Sequence, residues 1–185
     1  MENQPSFERL IAEGLQASRD NRVEAALDFF ARASALDPSS GIPHFLTASE
    51  QASRGEMDAA EVAFATAVLL APAFALARYQ LGLLQFSSGR AAIAQVTWQP
   101  LLALPAADPL GHFVRGFGAL AHDRFAEALH HYREGLACTE INQAIAEDIR
   151  RVVDSVQQLA GARVAEGEEP LGTHVLLSGY ARGVH

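Results

Sequence analysis

The chain has 185 residues, of which 49% are hydrophobic, and a formal net charge of −8. That size suits one domain with a sizeable core, and the composition is not that of a disordered chain. All 14 basic residues are arginine and there is one cysteine, which excludes lysine Schiff-base chemistry, lysine-dependent phosphate loops, internal disulfides and multi-cysteine zinc sites.

The negative charge opposes nucleic-acid backbones, so no nucleic-acid partner is expected. No apolar run reaches the ~18 residues that suggest a membrane span. Met1–Ser6 shows neither the basic nor the apolar part of a signal peptide. A cytoplasmic protein without a membrane partner is the expectation.

The first unit spans about residues 7–40. It carries small residues at Gly14, Ala26 and Ala33, an aromatic at Phe30 and a closing Pro38. The second, 41–74, repeats the pattern 34 residues later with Ala48, Ala60, Phe64, Ala67 and Pro72. The third, 75–108, has Gly82, Ala94 and Trp98, but Leu101 replaces the last small residue and Ala106 the closing proline. Pro100 falls inside its second helix. An interior proline removes a backbone hydrogen bond and clashes with the preceding turn, at ~3 kcal/mol or more. The helix is therefore predicted to kink or to stop near Trp98. The fourth unit, 109–138, recovers with Gly116, Ala128, Tyr132 and Gly135. Asp108 followed by Pro109 reads as an N-cap with proline at the first helical position.

Residues 139–160 form no fifth unit. Thr139 is a candidate cap, and Ile141, Ile145, Ile149, Val152, Val156 and Leu159 recur at three- and four-residue steps. Glu147, Asp148, Arg150, Arg151 and Asp154 lie on the other face. This pattern predicts a one-sided capping helix that covers the last unit's core. Residues 161–185 read as a linker and an apolar tail. Gly161, Gly167, Pro170 and Gly172 lie among acids, and Leu176, Leu177 and Tyr180 are candidate anchors that dock on this chain or on a neighbour.

Four units in phase resemble the tetratricopeptide repeat over about residues 7–140. The resemblance implies an all-α helical-hairpin solenoid of four units plus a capping helix, together covering residues 1–160. In such a unit two antiparallel helices, A and B, approach closely at small residues, so Ala26, Ala60 and Ala128 are expected to be buried. Helix A lines a concave surface. The matching positions carry Ile11, Phe45, Leu76, Tyr79, Leu83, Phe86, Leu110, Phe113, Phe117 and Leu120, with Leu15, Ile42, Ser18, Ser49 and Ala52 on the same faces. Most are apolar. The expectation is a groove for an apolar peptide, a partner helix or a second copy of the chain. Some relatives clamp the C-terminal carboxylate of chaperones. The positions matching that clamp are Ile11, Leu15, Leu46, Leu76 and Gln80, which carry no charge, so this activity is not expected.

Chemistry of the catalytic kind has no motif to stand on. His130 and His131 are adjacent and point about 100° apart on a helix. His122, Asp123 and His131 match no metal-ligand spacing, and Cys138 has no basic neighbour in sequence to activate it. No enzyme activity, cofactor or metal is expected. The expected function is protein–protein interaction, as an adaptor, assembly factor or chaperone. The alternatives are a structural homo-oligomer or fixed subunit of a larger complex, and a resemblance to the class II chaperones of type III secretion. Abundant alanine and arginine without lysine suggest a GC-rich bacterial genome.

Overall fold

Small residues recurring at one register let paired helices touch, and the computed structural model, which describes residues 6–166, is built from that contact. The described residues form an all-α series of helical hairpins, and the chain divides after Leu81 into two units.

The first unit contains α1 (Phe7–Arg19), α2 (Val23–Leu36), α3 (Ile42–Ser53), α4 (Met57–Leu70) and the first half of α5 (Ala75–Ser87). Ser6 caps α1 by accepting from the Arg9 amide at 3.2 Å, which satisfies one orphan donor of the first turn. α1 pairs with α2 and α3 with α4, while α2 packs on α3. Ala26, Ala33, Ala48, Ala60 and Ala67 are fully buried. At Gly14 the absent side chain is replaced by the ring of Phe30. Ser18 donates to the Glu50 carboxylate, and this hydrogen bond ties α1 to α3.

The second unit contains the rest of α5, then α6 (Ala91–Trp98), a 3₁₀ segment (Gln99–Ala103), α7 (Pro109–Leu120), α8 (Phe125–Leu136) and α9 (Gln143–Glu166). α6 stops at Trp98 and Pro100 occupies the first turn of the 3₁₀ segment. A proline without an N–H is tolerated there and not in a continuing α-helix. The Asp108 carboxylate accepts from the Leu110 amide at 2.9 Å and starts α7, with Pro109 at its first position. α7 pairs with α8 and rests on the 3₁₀ segment, and α8 carries α9.

Each helix A ends in the same way. Asn21, Gly55, Gly89 and Asp123 have φ between 57° and 81°. The following amides, of Arg22, Glu56, Arg90 and Arg124, reach back five residues to the carbonyls of Ala17, Gln51, Gln85 and Ala119 at 2.8–3.0 Å. This is the Schellman closure, which needs a left-handed residue after the helix. Glycine adopts that conformation freely, and Asn and Asp adopt it more readily than other side chains.

α9 departs from the sequence expectation. Its start is Gln143 and its end Glu166, not 139–160. Asn142, and not Thr139, caps it by accepting from Ala144 and Ile145 at 3.0 and 3.2 Å. Gly161, expected to open the linker, lies inside the helix. One interior glycine costs only ~1 kcal/mol relative to alanine, and Gln157–Ala160 and Ala162 around it are good helix formers. Ile145, Ile149, Val152 and Val156 are buried as the periodicity predicts. The tail anchors Leu176, Leu177 and Tyr180 lie outside the described residues.

Candidate functional site

The helix-A positions divide into two groups. In the first unit Ile11, Phe45 and Leu76 are half-buried, while Leu15 is 38% and Ile42 44% exposed. Ile11 and Leu46 pack against the buried cluster of Ala17, Ala26 and Phe30. The Phe45 ring is held between Phe64, at 5.7 Å between centroids, and Phe74, at 4.9 Å. Leu15 lies four residues after Ile11, and Phe45 three after Ile42. Each pair therefore shares one helix face. The Ser18–Glu50 hydrogen bond holds α1 beside α3. Leu15 and Ile42 are thus exposed, each with a half-buried apolar neighbour, Ile11 or Phe45, on its own helix.

The other group is interior. Tyr79, Leu83, Phe86, Phe113, Phe117 and Leu120 are buried, and Leu110 is half-buried. This corrects the expectation of an open apolar groove at those six positions. For the five of them that lie in the second unit, the cause is aromatic packing. Phe117 stacks on Trp98 at 5.4 Å and meets Tyr132 edge-on at 5.3 Å. Phe86 lies 5.2 Å from Phe117 and 5.8 Å from Trp98. The Phe113 ring occupies the space that a side chain at position 135 would need. Once the B helices approach this closely at small residues, these rings fill the space between helices and leave no free face.

A second feature was not read from the sequence. A cleft in the second unit is lined by Arg115 of α7, by His122 and Arg124 of the turn that follows, by Glu127 and His131 of α8, and by a wall of Gln95, Trp98 and Leu102. Helical spacing gave no signal for it, because His122 and Arg124 lie in the turn between α7 and α8. The His131 imidazole is held below its ordinary pKa, first by burial and then by the His130 charge; Arg115 and His112 act in the same sense, and Glu127 opposes them.

Cys138 is half-buried, with its sulfur 3.6 Å from the Glu134 carbonyl. Among the described residues no group of three or more His, Cys, Asp or Glu side chains is arranged to hold a metal ion. No helix among them is long and apolar enough to cross a membrane.

No protein-family profile and no curated protein matches the sequence. Solved structures match the fold. The structure of MamA aligns with a TM-score of 0.59 at 20% identity, over 72% of this chain and 78% of that one. A chain of the APC/C hetero-tetramer Cut9–Hcn1 aligns with a TM-score of 0.74 at 23% identity, over 89% of this chain and 32% of that one. YrrB, described as a TPR protein with an unusual peptide-binding site, aligns with a TM-score of 0.61 at 19% identity, over 96% and 93% of the two chains.

Proposed function

This chain is an array of tetratricopeptide-type helical hairpins, an all-α solenoid, and from that premise we propose that it is a non-catalytic protein–protein interaction module. Its docking face is the α1/α3 face, and its partner presents an apolar segment, extended or helical. The role is that of an adaptor or assembly factor.

The carrying observation is the pair Leu15 and Ile42, 38% and 44% exposed on neighbouring helices. Ile11 and Phe45 stand half-buried beside them. Fully burying one such side chain is worth ~1.5–3 kcal/mol. Completing the burial of several, less the cost of ordering the partner, gives an affinity in the micromolar range. The fold's peptide-binding precedent in YrrB supports the reading.

The test is affinity capture with mass spectrometry, comparing the native chain with a Leu15→Glu/Ile42→Glu variant. Both positions are partly exposed, so helical content and melting temperature stay within a small margin. The partner retained by the native chain is lost from the variant. Retention of the same partner by the folded variant sinks the proposal.

A second reading, self-association, draws on α4. There Val62 and Leu69 are 69% and 78% exposed and seven residues apart on one face. Sedimentation of the native chain against Val62→Glu/Leu69→Glu decides it. A dimer that the substitutions dissolve favours this reading, and a monomer in both removes it.

A further inference from the structure

The cleft of the second unit has a volume of about 340 Å³. α7 forms its floor, α6 and the 3₁₀ segment one wall, and the start of α8 the other. Above Gly118, in the middle of the floor, a side chain would meet nothing within 4 Å. The space is open although α7 is otherwise densely packed.

The charges in the cleft do not cancel. The Arg115 guanidinium donates to the Leu102 carbonyl at 2.7 Å. A neutral carbonyl aims the group without neutralising it. Arg124 pairs with Glu127 at 2.8 Å on the opposite wall. Two guanidiniums thus face one carboxylate, in a chain whose net charge is −8. The His122 Nδ1–H donates to the Gly118 carbonyl at 2.8 Å, which fixes the ring at the edge of the cleft. The remaining wall is mainly apolar, with Leu102 43% exposed and the buried Trp98, Val114 and the polar Gln95 beside it.

A positive site with an apolar wall suits a side chain that ends in a carboxylate and has methylenes behind it. We propose that this cleft receives an aspartate or glutamate side chain from a partner polypeptide, as a docking site additional to the α1/α3 face. Arg115 supplies a fixed charge-assisted donor, Arg124 a second from the facing wall, and Leu102 covers the methylenes. A multiply charged phosphate fits less well. Beside the Glu127 carboxylate it meets more repulsion than a single carboxylate does, and it gains nothing from the apolar wall.

Trp98 is the single tryptophan and lines the cleft, so its emission reports occupancy. The probe is a capped alanine-based peptide containing Leu-Glu-Glu-Leu, titrated into the full chain beside the same peptide with glutamine for glutamate. A saturable change with the glutamate peptide and none with the glutamine peptide is expected. Arg115→Gln and Arg124→Gln each weaken it by about tenfold or more, the loss of roughly one charge-assisted hydrogen bond, and Gly118→Leu weakens it as much by occupying the space. Gly118→Leu projects into the open space above the floor, where an added Cβ meets nothing within 4 Å, so it keeps the test decisive if removing Arg115 unfolds the chain. Leu15→Glu/Ile42→Glu binds the peptide as the native chain does, which separates this site from the α1/α3 face. Millimolar inorganic phosphate does not displace the peptide. Equal binding of the two peptides, undiminished binding by folded Gly118→Leu, or displacement by phosphate overturns the proposal.

Discussion

The indole of Trp98 fills the space that a side chain on Gly82 would occupy, with Nε1 as the nearest atom. The same relation joins Phe30 to Gly14 and Tyr132 to Gly116. In each of these hairpins helix A lacks a side chain where helix B presents a ring. Close packing makes such contacts intolerant of even one carbon.

Gly82→Ala therefore lowers stability by ~1–3 kcal/mol, because the buried indole has to move. Ala60→Leu, at a position with no exposure, costs a similar ~1–3 kcal/mol. Thermal or chemical denaturation measures both. An unchanged melting temperature in either variant contradicts the helix register described above.

Phe117 contacts Phe86, Trp98 and Tyr132 together. Truncation to alanine leaves a cavity among three rings and costs ~3–5 kcal/mol. The near-ultraviolet circular dichroism of Trp98 changes with it. A loss below ~1 kcal/mol would return Phe117 to the role of a surface residue.

The left-handed turn residues separate backbone strain from packing. A side chain on Gly55 meets nothing within 4 Å, yet its φ is 77°. Gly55→Ala is expected to cost ~1–2 kcal/mol through conformation alone. Asn21→Gly, at φ 57°, costs almost nothing, since glycine prefers that conformation. Equal effects in the two variants would show that the turn does not impose the conformation.

His131 makes stability depend on pH. Its folded-state pKa lies below the ordinary 6.5, chiefly because burial disfavours the charged form. The unfolded chain then binds the proton more readily. The stability tied to the neutral ring is present above the unfolded pKa and is lost as pH falls through 6.5 toward the folded value. Denaturation midpoints compared at roughly pH 7 and pH 5 show a smaller acid loss in His131→Gln than in the native chain. An identical slope in both refutes the assignment.

Much of the fold was legible before any coordinate. The 34-residue spacing of small and aromatic residues determined the helix pairs, because interhelical approach is set by side-chain size at a few recurring contacts. Pro100 determined where α6 stops, because a missing N–H acts locally. Asp108–Pro109 determined where α7 begins. Asn21, Gly55, Gly89 and Asp123 share the same 34-residue spacing, but their role as turn residues became plain only from their positive φ.

The candidate site was legible only in part. Ile11 and Phe45 carry the same apolar character as Phe113 and Phe117, and periodicity assigns all four to one helix face. Whether that face stays open depends on the partners across it. In the second unit Gly135, Trp98 and Tyr132 meet the rings and close them in. In the first, Leu15 and Ile42 remain exposed. The cleft of Arg115, Arg124 and His131 joins side chains from two helices through a turn. Which charges share a cleft is decided by how helices cross in space. The sequence by itself determined which residues sit on each helix face, a matter of local periodicity. Only the tertiary structure decided which of those faces are left for a partner, because exposure depends on what packs across from them.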